Sequence, residues 1–197
     1  MMGQLEEMLL EIKDTSELMV DLAYSSLLYS NQEIAKEVIQ LHERMDELGD
    51  EIEVLAIKRA IEDRDHLKAL ATIRMSKSVK DISYAALKIA EVVRRDDITH
   101  PVIQLSIRDS DVIITTAVVE ESSDLAGSTL GRVKLATNSG MYVIAIRRGR
   151  RYIYGPDRDT AIMEGDLLFA RGPFDGEQYF RDLSSGMEHL DAKDLIG

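Results

Sequence analysis

The chain has 197 residues, of which 45% are hydrophobic, and a formal net charge of -12. That apolar content supports a packed core and excludes a disordered chain, and the length allows one domain or two small ones at roughly 100–200 residues each. The absence of cysteine excludes disulfides and thiolate metal sites, while the acidic balance repels a phosphate backbone, so no nucleic-acid partner is expected.

The start, Met1-Met2-Gly3-Gln4-Leu5-Glu6-Glu7, turns acidic at once and lacks the basic-then-apolar opening of a signal peptide. No run approaches the roughly 18 apolar residues of a membrane span. The expectation is a cytoplasmic protein without direct membrane insertion.

Three helices fill the first half. The predicted seam of the first is Leu5, Leu9, Ile12, Ser16, Met19, Ala23 and Ser26. That of the second is Ile34, Val38, Leu41, Met45, Leu48, Ile52 and Leu55. That of the third is Ala71, Met75, Ser78, Ile82, Ala85, Ile89 and Val92. Each set steps by four and three, the spacing of one helix face on its neighbours, and short connections make the bundle antiparallel. Ser30-Asn31 is placed to cap the second helix, and Asp63-Arg64-Asp65 turns into the third. Leu18, Leu22, Leu27 and Leu28 fall outside the first seam. They mark either a wide buried stripe or a second interface.

The helical pattern breaks at Arg94-Arg95-Asp96-Asp97-Ile98-Thr99-His100-Pro101, where charge and proline end the helix. Residues 1–97 are therefore read as one domain, 98–111 as a linker and entry segment, and 112–190 as a second domain. Val102 to Asp109 reads equally as helix or strand. Strands are expected from Val112 to Val119, Met141 to Arg147, Arg151 to Tyr154 and Leu167 to Arg171. Helices are expected from Thr129 to Ala136 and Phe174 to Leu183. The turn between the second and third strands is Arg148-Gly149-Arg150. The fold class is α+β in two domains: an antiparallel three-helix bundle, then a small α/β domain.

Residues of about 112–185 resemble the TrkA-C domain, the ligand-sensing module of potassium-channel gating proteins. The resemblance is carried by Gly127 and Leu130, Gly140 before Val143-Ile144-Ala145-Ile146-Arg147-Arg148-Gly149, then Pro156-Asp157, Ile162, Gly165-Asp166-Leu167-Leu168 and Gly172. It implies a module that dimerises and binds a small anionic ligand, cyclic di-AMP in some members. The ligand-binding candidates it suggests are Arg132, Asn138, Tyr142, Ile146, Arg147 and Arg148. Strand alternation places Ile146 and Arg147 on opposite faces. Arg147, Arg148, Arg150 and Arg151 around one hairpin suit bidentate pairing with phosphate or carboxylate. Solubilising charge paired with Asp157, Asp159 and Glu164 explains them equally.

The first half resembles a PhoU-type helical domain over Val38 to Ile52, with Asp46-Glu47-Leu48-Gly49-Asp50 at the family's acidic D-x-x-x-D motif. Asp46 and Asp50 lie one turn apart on a helix. They are the metal-ligating candidates, set against the plainer reading of a solvated acidic face. The family's second acidic motif falls where this chain has Lys80 and Tyr84, so a divalent metal is not expected. The four histidines show no ligand or catalytic spacing, and no G-x-G-x-x-G or G-x-S-x-G is present, so no enzyme is indicated.

The leading expectation is a regulatory protein for potassium or other cation transport. It would be a homodimer or higher homo-oligomer, sense a small anionic ligand and act on a membrane channel or transporter. The alternative is a PhoU-like regulator of phosphate uptake or signalling that acts through the bundle.

Overall fold

The computed structural model describes residues 3–95 and 112–190, which fall into two compact units. The expected linker of 98–111, with the ambiguous 102–109 segment, lies outside the described residues. The two units are α+β as expected: three long helices, then a four-stranded sheet with short helices.

The first unit comprises α1 (Gln4–Leu28), α2 (Gln32–Asp63) and α3 (His66–Arg94). Asn31 caps α2 by accepting from the backbone N–H groups of Glu33 and Ile34. Asp65 caps α3 by accepting from Lys68 N–H. Between α2 and α3 the chain turns through Arg64 in the left-handed region, φ 56°. Ion pairs Glu6–Arg59 and Glu11–Arg44 run α1 against α2. His42–Ser83 and Asp50–Lys80 contacts run α2 against α3. The bundle is antiparallel from one helix to the next.

In α2 the predicted seam is the buried one from Ile34 to Ile52, and only its last member gives way, to Ala56. In α1 the buried face is wider than one seam: Met8, Leu18 and Leu22 are buried beside Ile12, Met19 and Ala23, while Leu9 is half-buried. The Leu18–Leu22 edge is thus core, and Leu27 and Leu28 are partly covered.

The seam of α3 is displaced by one residue from its predicted positions. Ser76, Ser83, Ala86, Ala90 and Val93 face the core, and Met75, Ile82 and Val92 are exposed. One residue is a rotation of about 100° on a helix. Two stripes with the same spacing run along α3, and the bundle takes the one with smaller side chains. Small residues let α3 approach α1 and α2 closely. Each buries far less than the roughly 1.5–3 kcal/mol gained by hiding a Leu or Ile. Polar contacts therefore carry more of the α3 attachment: Ser83 shares a 2.8 Å hydrogen bond with His42 Nδ1 and donates to Met19 Sδ.

The second unit is built on β1 (Val112–Val118), β2 (Tyr142–Arg148), β3 (Arg151–Tyr154) and β4 (Leu167–Pro173), all antiparallel in the order β1-β4-β2-β3. Between β1 and β2 lie two short helices, α4 (Leu130–Val133) and α5 (Leu135–Ser139). The single helix expected there is broken at Lys134, which is left-handed. A 3₁₀ turn, Phe174–Gly176, leads into the closing helix α6 (Glu177–Ser185). The β2–β3 hairpin turns at Gly149 with φ 62°, where a side chain would be strained.

The sheet has two distinct faces. Register puts Ile113, Thr115, Leu168, Ala170, Ile146 and Ile153 on one. There α6 packs: Thr115 Oγ1 donates to Glu177 at 2.6 Å and accepts from Arg181 at 2.7 Å. A bulge between Val143 and Ala145 shifts the β2 register.

Candidate functional site

The face of the sheet opposite α6 gathers a set of cations and aromatic rings. The register places Tyr142, Arg147, Phe169, Arg171, Tyr152 and Tyr154 together on it. Ring geometry agrees. Tyr152 and Tyr154 stack at 5.8 Å, and Tyr152 lies 6.2 Å from Phe169. Tyr142 is the direct cross-strand partner of Arg171, and both are exposed. Phe169 is fully buried at the centre of this face. Flat rings offer stacking surface, and guanidiniums offer bidentate pairing to an oxyanion. The combination suits a planar, anionic small molecule.

The residues expected from the sequence to bind a ligand separate into five places. Tyr142 and Arg147 share the aromatic face. Ile146 is fully buried on the other side, as alternation requires. Arg148 is committed elsewhere: its Nε and Nη2 donate at 2.8 Å each to the two carboxylate oxygens of Asp166. Asp166 itself is completely buried and also accepts from Met163 N–H. The hydrogen bond to Asp166 holds the Arg148 pKa above its ordinary value against the opposing effect of burial. Asn138 donates to the Val133 carbonyl, which closes the α4–α5 turn. Arg132 lines a separate open cavity of about 450 Å³ with Asp124, Gly127, Ser128 and His189. In that cavity His189 Nδ1 is 3.2 Å from Asp124.

Arg171, Tyr152 and Tyr154 belong to the aromatic face and were missed in the sequence. Their signal was present. With β2 and β3 joined at Gly149, Arg147 must pair with Tyr152, and Tyr154 follows on the same side. Only the β2–β4 pairing that brings in Arg171 required the fold.

In the bundle, Asp46 and Asp50 sit together on α2 as the spacing demanded, and both meet the same cation. Lys80 Nζ lies 3.4 Å from Asp46 Oδ1 and 3.1 Å from Asp50 Oδ1. Partial burial alone would lower the Lys80 pKa, but the hydrogen bond to Asp50 and the charges of both aspartates outweigh it and raise the value. No group of three or more His, Asp or Glu able to hold a metal ion occurs among the described residues. With an ammonium already between the two carboxylates, these residues do not fit a divalent ion. His42 bridges the same network, with Nε2 3.6 Å from Asp46 and Nδ1 on Ser83. Ser83 is fully buried, so this serine–histidine–aspartate chain presents no nucleophile to a substrate.

The family models divide the chain in the same way. The PhoU domain model matches residues 9–93, and the TrkA-C domain model matches residues 114–185. The chain is a PhoU domain followed by a TrkA-C domain. Both are domains of regulatory type. No curated protein matches the chain.

Among solved structures, the RCK_C domain dimer of S. agalactiae BusR in complex with c-di-AMP is 23% identical. It covers 36% of this chain and 92% of that one at a TM-score of 0.34. The GsuK RCK domain is 15% identical over 56% of this chain and 24% of that one, TM-score 0.34. S. agalactiae BusR in complex with its busA-promotor DNA is 16% identical over 61% of this chain and 66% of that one, TM-score 0.36. Identities and scores of this size carry no function across. In the described residues of the PhoU and TrkA-C domains, no helix is long and apolar enough to cross a membrane.

Proposed function

We propose that the protein is a regulator rather than an enzyme, that its TrkA-C domain senses a small anionic ligand with a planar base, and that the controlled process is potassium or other cation transport. The observation that carries this reading is the shared face of Tyr142, Arg147, Arg171 and Tyr152. Cyclic di-AMP, with two bases and two phosphates, has the complementary chemistry: rings for the tyrosines and oxyanions for the guanidiniums. A sensor of this kind works as a homodimer if the ligand favours one arrangement of two TrkA-C domains over another, because only differential affinity shifts an equilibrium. The PhoU domain then reports the arrangement to a membrane cation transporter.

Isothermal calorimetry on the full chain tests the sensor, with cyclic di-AMP, cyclic di-GMP, ATP and inorganic phosphate as titrants. The expected result is saturable heat with cyclic di-AMP that Arg147→Gln weakens by roughly tenfold, the loss of one charge-assisted hydrogen bond at about 1.5 kcal/mol. Absence of heat with every nucleotide would sink the ligand assignment. Co-purification with a tagged cation transporter, with and without the nucleotide, tests the partner.

A further inference from the structure

We propose that Lys80 is a tethered cation: its ammonium occupies the place between α2 and α3 that a divalent ion would need, and it joins the Asp46–Asp50 pair to α3 without metal. Three independent features support this. The first is position. Nζ stands within 3.4 Å of one oxygen from each aspartate, so the two carboxylates share one positive charge. A cation on the other helix is what two like charges one turn apart require.

The second is the route taken by the side chain. Gly49 is the buried residue of α2 beneath it. A Cβ added there would run into Lys80 Cδ, with Cε at 3.1 Å and Cγ at 3.2 Å. A glycine inside a helix is less favourable than alanine. Here it leaves a slot through which the lysine stem crosses α2 to reach both carboxylates.

The third is the neighbourhood. Asp46 is 3.6 Å from His42 Nε2, and His42 passes to Ser83 of α3. Tyr84 lies next along α3, its ring 6.3 Å from His42 and under Lys88 Nζ at 4.9 Å. The α3 groups that meet Asp46, Asp50 and His42 are thus the Lys80 ammonium, the buried Ser83 hydroxyl and the Tyr84 ring. A hard divalent ion needs six or more oxygen ligands, and here it would have to expel the ammonium to reach its first two.

The test is thermal denaturation and calorimetry on the full chain, with MnCl₂ as the probe and EDTA as the control. Wild type should melt at the same temperature in EDTA and in millimolar Mn²⁺, with no saturable heat. Lys80→Met keeps the stem over Gly49 and removes the charge. It should melt lower in EDTA, recover in Mn²⁺, and bind Mn²⁺ at least about tenfold more tightly than wild type, because a repelling charge has gone. Lys80→Glu adds a third carboxylate and should bind one Mn²⁺, an affinity lost in the background Asp46→Asn/Asp50→Asn. The proposal is overturned if wild type binds Mn²⁺ and the two Asn substitutions abolish that binding. It is equally overturned if Lys80→Met melts like wild type and ignores Mn²⁺. Because no nucleotide enters this experiment, its outcome is independent of the ligand-sensing reading.

Discussion

Arg148 grips Asp166 with two parallel N–H···O bonds of 2.8 Å, reaching from the end of β2 with a side chain one-third open to solvent onto a carboxylate with no exposure at all. The same guanidinium donates to the Ala161 carbonyl, so one side chain ties β2 to the loop that enters β4. The arginine lies in a sequence cluster that looks like a receptor for anions, yet its anion is internal. Arg148→Ala should therefore destabilise the TrkA-C domain more than an ordinary surface change. The expected loss is about 3 kcal/mol, the lower end for breaking a buried pair because one partner is partly wet. Urea denaturation followed by tyrosine fluorescence checks it. A loss near zero would show that Asp166 is satisfied by Met163 N–H alone.

The displaced seam of α3 gives a second prediction. Ile82 is 47% exposed while Ser83 beside it is fully buried. Ile82→Asn should change stability by no more than about 0.5 kcal/mol, as for most surface positions. Ala90→Leu should cost about 1–3 kcal/mol through overpacking, because Ala90 has no exposure. Paired thermal melts decide it. The reverse ranking would restore the seam through Ile82.

These two cases show what was legible in the sequence. Helix α2 was read almost residue by residue from Ile34 to Ile52, where one apolar stripe dominates the circumference; beyond it Val54, Ile57 and Ile61 are exposed. In α3 two stripes have equal spacing, and hydrophobicity favours the wrong one. Close approach selects Ser76, Ser83, Ala86 and Ala90, a packing criterion that becomes visible only with the partner helices in place. In the sheet, the turns and strands were readable from glycine, proline and β-branched runs. Pairing of β4 between β1 and β2 was not, and with it the meeting of Tyr142 with Arg171 was out of reach. Asp166 stands in the sequence only as part of the Gly165-Asp166-Leu167-Leu168 motif. Its burial, under the Arg148 fork and Met163 N–H, is a tertiary contact that no local pattern encodes.

The Glu6–Arg59 pair should leave a mark on the pH dependence of the bundle. The hydrogen bond from Arg59 holds the Glu6 carboxyl below its ordinary 4.5, against a weaker opposing effect of burial. A depressed carboxylate contributes stability that is present above its unfolded pKa and lost as pH falls through the folded one. Glu6→Gln should thus lower the melting temperature slightly at neutral pH, and the gap to wild type should close as the pH falls below 4.5 and through the depressed folded value. A gap that stays constant from neutral pH down through this acid titration would show that the pair contributes nothing electrostatic.

The last prediction separates the two places where an anion meets an arginine in the TrkA-C domain. Arg132 stands by the cavity that also holds Asp124 and His189. A carboxylate there repels a phosphate and offsets the charge of Arg132. The aromatic face has Arg147 and Arg171 with rings beside them and no carboxylate on the same strand positions. A nucleotide should therefore choose the sheet face. Tyr142→Ala should weaken cyclic di-AMP binding about tenfold, the value of one base stacked on one ring, and Arg171→Gln should weaken it with a shallower salt dependence than wild type. Arg132→Gln should leave the affinity within about twofold, less than half a kcal/mol. Calorimetry at two salt concentrations measures all three. If Arg132→Gln abolishes binding while Tyr142→Ala does not, the ligand lies in the cavity, and the sheet face must be assigned to contact between protein chains.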